Sequence, residues 1–263
     1  TSRLVVSPPA ITIRGLGIDL TVIVDNVPKT GDGIDARVLV ITTPATGAFR
    51  VHNMTLRGGS TTGTQNTDGF LVFGGTSRSL RVDHLKFDKP KQNGIVFNGA
   101  LWGVIDHNTF DMSPDNMEAI FVRHDAWPAG ADIYGDGSFS NAVVLGTEQA
   151  LFVETNNFIS APIDFNPVID GDCGSRIVFR YNTADRGFAI HGTDTGGRCR
   201  GVRSYEIYNN IFALAQPPYD PVTGVGAFSF GIYLRSGTGV IHNNTFTGFI
   251  DGIIMSNYRH PTL

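Results

Sequence analysis

Charge is scarce in this chain: Asp, Glu, Lys and Arg make up only 17% of 263 residues, and the net charge is −4. There is no basic stripe, so the electrostatic footprint of a nucleic-acid partner is missing. No apolar run approaches the roughly eighteen residues of a membrane-spanning helix, and no membrane span is expected. The only cysteines are Cys173 and Cys199, 26 residues apart. Helical i, i+3, i+4 patterning does not persist over any useful window. The chain starts at Thr1 with no charged-then-apolar leader. We expect it to be a piece of a longer protein.

Glycine, by contrast, is abundant at 32 residues, and the apolar fraction is 41%. That combination describes a folded chain of short strands and tight turns. Its organisation is a repeat. A six-residue block of apolar, polar, any, Asn, any, apolar recurs as Val51-His-Asn-Met-Thr-Leu56, Val82-Asp-His-Leu-Lys-Phe87, Ile105-Asp-His-Asn-Thr-Phe110 and Val153-Glu-Thr-Asn-Asn-Phe158. Phe179-Arg-Tyr-Asn-Thr-Ala184, Ile207-Tyr-Asn-Asn-Ile-Phe212 and Ile241-His-Asn-Asn-Thr-Phe246 continue it. The fourth position reads Met54, Leu85, Asn108, Asn156, Asn182, Asn210 and Asn244, at gaps of 31, 23, 48, 26, 28 and 34. The gap of 48 is either two turns of 24 or one turn with a long insertion.

A second, mostly Gly-led block precedes the Asn block in most repeats: Gly69-Phe-Leu-Val-Phe73, Gly94-Ile-Val-Phe-Asn98, Ala119-Ile-Phe-Val-Arg123, Gly187-Phe-Ala-Ile-His191, Gly231-Ile-Tyr-Leu-Arg235 and Gly252-Ile-Ile-Met-Ser256. Strand alternation points Phe70 and Val72, Ile95 and Phe97, Ile120 and Val122, Phe188 and Ile190, and Ile232 and Leu234 inward. One such turn cannot bury its own apolar face. Stacking turns about 4.8 Å apart gives each strand two neighbours and a continuous core. The expected fold is all-β: a right-handed parallel β-helix, or solenoid, filling 1–263 as a single domain, with an inserted loop at 125–141. Asparagine suits the bend because it tolerates left-handed backbone, and its amide can bond to the next Asn in the stack. Asn108, Asn156, Asn182, Asn210 and Asn244 therefore form an expected internal asparagine ladder.

These blocks resemble the pectate-lyase-like superfamily of right-handed β-helices. Ile11-Thr-Ile-Arg-Gly-Leu-Gly17, Gly103-Val-Ile-Asp-His-Asn-Thr-Phe110 and Arg203-Ser-Tyr-Glu-Ile-Tyr-Asn-Asn210 are similar to bacterial secreted β-helix repeat proteins, mostly without assigned activity. The resemblance implies an extracellular or cell-surface protein that cuts or binds acidic polysaccharide along the outer face of its first sheet. Calcium is a cofactor candidate on the same ground. The superfamily's signatures are missing, however: there is no paired Asp-Asp with Gly-His-Gly, no acidic triplet with a downstream Arg, and no Gly-Gly-x-Gly-x-Asp calcium repeat.

Chemistry is expected in the outward row Phe73, Asn98, Arg123, His191, Arg235 and Ser256, with His124, Asp125, Asp170, Asp172 and Asp194 at nearby strand ends. A lyase needs a cation to neutralise the uronate and a base to take the α-proton. Arg123 and Arg235 could supply the first, and His191 or His124 the second. A hydrolase would use two carboxylates, drawn from Asp170, Asp172 and Asp194. Trp127 and Tyr134 on the inserted loop, with Asn98, His124, Asp194 and Tyr233, are the substrate-binding candidates. Stacked turns bring Cys173 near Cys199, at disulfide range, which suits an oxidising compartment.

The leading expectation is a secreted polysaccharide lyase acting by β-elimination on a uronate polymer. The alternatives are a non-catalytic polysaccharide-binding, adhesin or tail-fibre-like β-helix, and a glycoside hydrolase. Open sheet edges at both ends also make self-association a candidate interaction.

Overall fold

The computed structural model describes residues 3–26, 37–59, 66–112, 118–124, 145–159, 167–192, 201–214 and 230–256, with 66–68 by backbone alone. Among the described residues the fold is all-β with no helix, and hence no helix long and apolar enough to cross a membrane. Every assigned strand pairing is parallel, and it joins the same position of one repeat to the next. Three ladders result.

The first ladder carries the opening half of each Asn block: Ile11–Arg14, then the segments beginning at Phe49, Leu80, Gly103, Leu151, Ile177, Tyr205 and Gly239. Past the bend, the second ladder runs from Val22–Val24 through Thr55, Lys86, Thr109, Asn157, Thr183 and Ile211 to Thr245–Thr247. The third is built from the Gly-led blocks. Leu4–Val6, Leu39–Thr43 and the strands through Leu71, Ile95, Ile120 and Ile169 follow one another, and Phe188–Ile190 pairs onward to Phe230–Leu234 and Asp251–Met255. His191 N donates to Gly171 O at 2.9 Å, joining the two parts of this ladder.

Leu151 pairs directly with Gly103 and Asn156 bonds to Asn108, so the 48-residue gap is a single repeat. The loop expected at 125–141 lies wholly outside the described residues, as does the rest of 125–144. Cys173 is disulfide-bonded; the chain's other cysteine, Cys199, also lies outside them.

The asparagine ladder is present. Asn182 is typical: its N and Nδ2 donate to Asn210 Oδ1 at 2.9 and 3.1 Å, and its Nδ2 donates to Val153 O at 2.8 Å. Its own Oδ1 accepts from Asn156 N and Nδ2. Asn108, Asn156 and Asn210 repeat the scheme, and Leu85 N caps it by donating to Asn108 Oδ1. Left-handed backbone falls one residue before the ladder position, not on it as the repeat alone suggests. Asn53, His84, His107, Thr155, Tyr181, Asn209 and Asn243 have φ between 52 and 59°. That residue turns the corner, which aims the following asparagine inward.

One hydrophobic cluster takes residues from all three ladders. Leu56, Phe87, Phe110, Phe158, Ala184, Phe212 and Phe246 occupy one row of the second ladder. Phe87, Phe110 and Phe158 stack at 4.6 and 4.9 Å. Ala184 leaves room that Phe179 fills, touching both Phe158 and Phe212.

The first Gly-led block sits one residue out of the expected register. Leu71 and Phe73 pair with Ile95 and Phe97, and Phe73 is fully buried against the Phe97 ring at 5.5 Å. The register shift before Gly69 is the cause: it sets Gly69 opposite Asn93 rather than Gly94. Gly74, not Phe73, therefore occupies the outward row.

Truncating Asn182 to Ala should destabilise the protein by about 3 kcal/mol, because buried Asn156 donors and Val153 O lose their partners. Asn244→Ala, at the half-exposed last repeat, should cost about 1 kcal/mol, since water can substitute there. Urea unfolding of both variants measures the difference.

Candidate functional site

The parallel register aligns the outward positions of the Gly-led ladder in two rows. One reads Gly74, Asn98, Arg123, Asp172, and continues through His191 to Arg235. The neighbouring row holds Val72, Val96, Phe121 and Asp170, then Ala189, Tyr233 and Ile254.

Along the first row, charges meet their opposites. Arg123, at the end of Ile120–Arg123, faces Asp172 in register and binds it through Nε and Nη2 at 3.0 and 3.1 Å. Asp172 is 2% exposed. Burial pushes its pKa up, against the opposing pull of the Arg123 hydrogen bond and charge. Asp170, 4% exposed, accepts from Gly171 N and contacts His191 Nε2 at 2.6 Å. The Nδ1 of His191 is buried. Arg235 Nε donates to Ile190 O at 2.9 Å.

Both arginines lie over an aromatic ring of their own strand. The Arg123 guanidinium sits 5.0 Å from the Phe121 ring, and that of Arg235 sits 5.4 Å from Tyr233. Arg235 also lines a pocket of about 310 Å³ with Tyr205, Leu234, Ser236, Gly237, Met255 and Ser256. Asn98 is half-buried beside Arg123.

The structure thus brings together Arg123, Asp170, Asp172 and His191, with Asn98 one repeat before and Arg235 and Tyr233 one repeat after. His124 stands apart. It is fully buried, accepts from Arg176 N through Nδ1 at 3.0 Å, and meets the Trp102 ring edge-on at 4.6 Å. Burial pushes its pKa down to about 3, with the Arg176 charge adding to the effect, so it stays neutral at physiological pH. Asp125, Trp127, Tyr134 and Asp194 lie outside the described residues.

Two buried residues, Glu118 and Arg186, were not read from the sequence. Glu118, 5% exposed, has its pKa raised to about 8, first by burial and then by the charge of Asp170. His191 and the buried Arg186 pull it the other way. The available signal was positional: Glu118 N donates to Asn93 Oδ1, so an acid stands where the preceding repeat has an amide. Among the described residues no group of three or more His, Cys, Asp or Glu is arranged to hold a metal ion.

No family model, curated protein or solved structure matches the chain.

The raised pKa of Glu118 has a stability consequence. The folded protein keeps a proton that the unfolded chain releases at about 4.5. Stability from this group is complete below that value and is lost as pH rises through about 8. Glu118→Gln should match the wild type at about pH 5 and exceed it by at least ~2 kcal/mol at about pH 9. Urea unfolding at the two pH values tests this; a constant offset would contradict it.

Proposed function

We propose that this chain is a right-handed parallel β-helix of a secreted or cell-surface protein that recognises an acidic polysaccharide on the outer face of its Gly-led ladder. The observation that carries the reading is the paired arrangement of Arg123 over Phe121 and Arg235 over Tyr233. Each pair sets a guanidinium, that of Arg123 shared with Asp172, for a carboxylate or sulfate beside an aromatic ring for a sugar face. Three repeat steps of about 4.8 Å separate them, some 14 Å along the stack, so one polymer lying along the axis would meet both. The Cys173 disulfide supports an oxidising compartment. The in-register parallel ladders and the asparagine ladder support the solenoid.

A second reading is cleavage by β-elimination, with His191 as base. It is favoured by the Asp170–His191 contact beside Arg235 and by a carboxyl, Glu118, that remains protonated at neutral pH. Binding is preferred because of access. The Nε2 of His191 is engaged by Asp170 and its Nδ1 is buried, so neither nitrogen faces a polymer. Glu118, Asp170 and Asp172 are each no more than 5% exposed, which also weighs against a hydrolase.

Native gels containing polygalacturonate, alginate or a sulfated glycan should retard the protein, and added salt should weaken the retardation. Arg235→Ala should lower the affinity by at least tenfold. Retardation unaffected by Arg235→Ala would sink the assignment of the face. Ultraviolet absorbance from unsaturated uronate products, absent in His191→Ala, would establish the second reading.

A further inference from the structure

The first ladder carries a different surface. Four consecutive repeats place Phe152, Tyr181, Tyr208 and His242 on its outer side, the first three around one guanidinium. Arg180 lies 5.2 Å from the Phe152 ring, 5.8 Å from Tyr181 and 5.9 Å from Tyr208. Its Nε binds Glu154 at 2.6 Å and its Nη1 donates to the Tyr208 hydroxyl at 2.7 Å. Tyr181 meets Tyr208 edge-on at 6.0 Å, and Tyr208 stacks on His242 at 4.8 Å with ring planes 5° apart.

Tyr181 is the anomaly. It is 53% exposed and holds φ at 57°. Left-handed backbone is a rarity for a bulky residue and tolerable for asparagine. The same corner in other repeats is taken by Asn53, Asn209 and Asn243 and by His84, His107 and Thr155, and Tyr181 is the bulkiest of the seven. Folding would be served at least as well by asparagine, so an exposed ring kept there at a conformational cost points to a use.

The charges select the occupant. Arg180 is neutralised by Glu154, and Glu206, two residues before Tyr208 on the same face, adds a negative charge while its Oε1 accepts from Gly146 N at 2.7 Å. An acidic polymer is disfavoured here, while a chain of uncharged sugars offers C–H faces to rings and hydroxyls to Glu154, Glu206 and the phenols. We propose that this platform is a glycan-binding site for a neutral hexose polysaccharide, separate from the Arg123–Arg235 face.

The test uses the whole chain in native gels containing hydroxyethylcellulose or galactomannan, with calorimetry on cello- and manno-oligosaccharides. The wild type should be retarded. Tyr181→Asn should fold with equal or greater stability and bind at least fivefold more weakly, and Tyr181→Asn with Tyr208→Ala should abolish retardation. Both variants should keep their retention on acidic glycans, and Arg235→Ala should keep its retention on neutral ones, so failure of one face is distinguishable from failure of the other. No retardation by any neutral glycan, or retardation unchanged in the double variant, overturns the proposal. So does a concentration-dependent dimer, seen by sedimentation, that Tyr181→Asn dissolves, since the platform would then be a contact between copies.

Discussion

Parallel in-register hydrogen bonding between successive repeats is the constraint on which the rest of the structure depends. Each strand finds its partners at the same position of the repeat before and after, at a spacing of about 4.8 Å. Side chains of equal position are therefore forced into rows, and whatever occupies a row must tolerate a near copy of itself. Asparagine is suited to this because its amide donates and accepts at once: Asn108 through Asn244 pass the same bonds along the stack. Flat rings tolerate it too, as the Phe87, Phe110 and Phe158 stack does.

Like charges in such rows repel unless countered, and the chain answers in three ways. Opposite signs follow one another in register, as in Arg123 with Asp172 and Glu154 with Arg180. Where like charges do stack, Arg50 on Arg81 and Asp83 on Asp106, each arginine binds the aspartate two positions along in the next repeat. Where buried carboxyls accumulate, as with Glu118 near Asp170, burial and the neighbouring charge hold a proton on one of them. The cluster on the Gly-led face is in this sense a product of the stacking rule. Arg123 and Asp172 pair, as do Asp170 and His191, while the Arg123 and Arg235 side chains stay partly exposed at the margins.

The two outer faces differ for the same reason. On the Gly-led face the arginines flank the paired cluster and stand over Phe121 and Tyr233. On the first ladder, Arg180 is spent on Glu154 and Tyr208, and the exposed chemistry is aromatic. One backbone geometry thus carries two outer faces of different side-chain chemistry, although on each an arginine pairs with a carboxylate one repeat away.

Much of this was legible in the chain because period and pattern are local. The Asn positions, the Gly-led strands and the outward placement of Arg123, His191 and Arg235 follow from spacing and strand alternation. Register was not fully legible: the shift before Gly69 turns Phe73 inward, and no residue type announces it. Nor was burial. His124 reads as a polar strand-end residue, yet it is enclosed by Trp102 and the Arg176 backbone, and the repeat does not single out Glu118, which is buried too. The sequence by itself determined the repeat, the parallel strands and the ladder, since those depend on neighbours at fixed chain distance. Only the tertiary structure decided which charges pair, which nitrogen of His191 is engaged and which rings share a face, since those depend on loops of unequal length delivering residues from different repeats to one place.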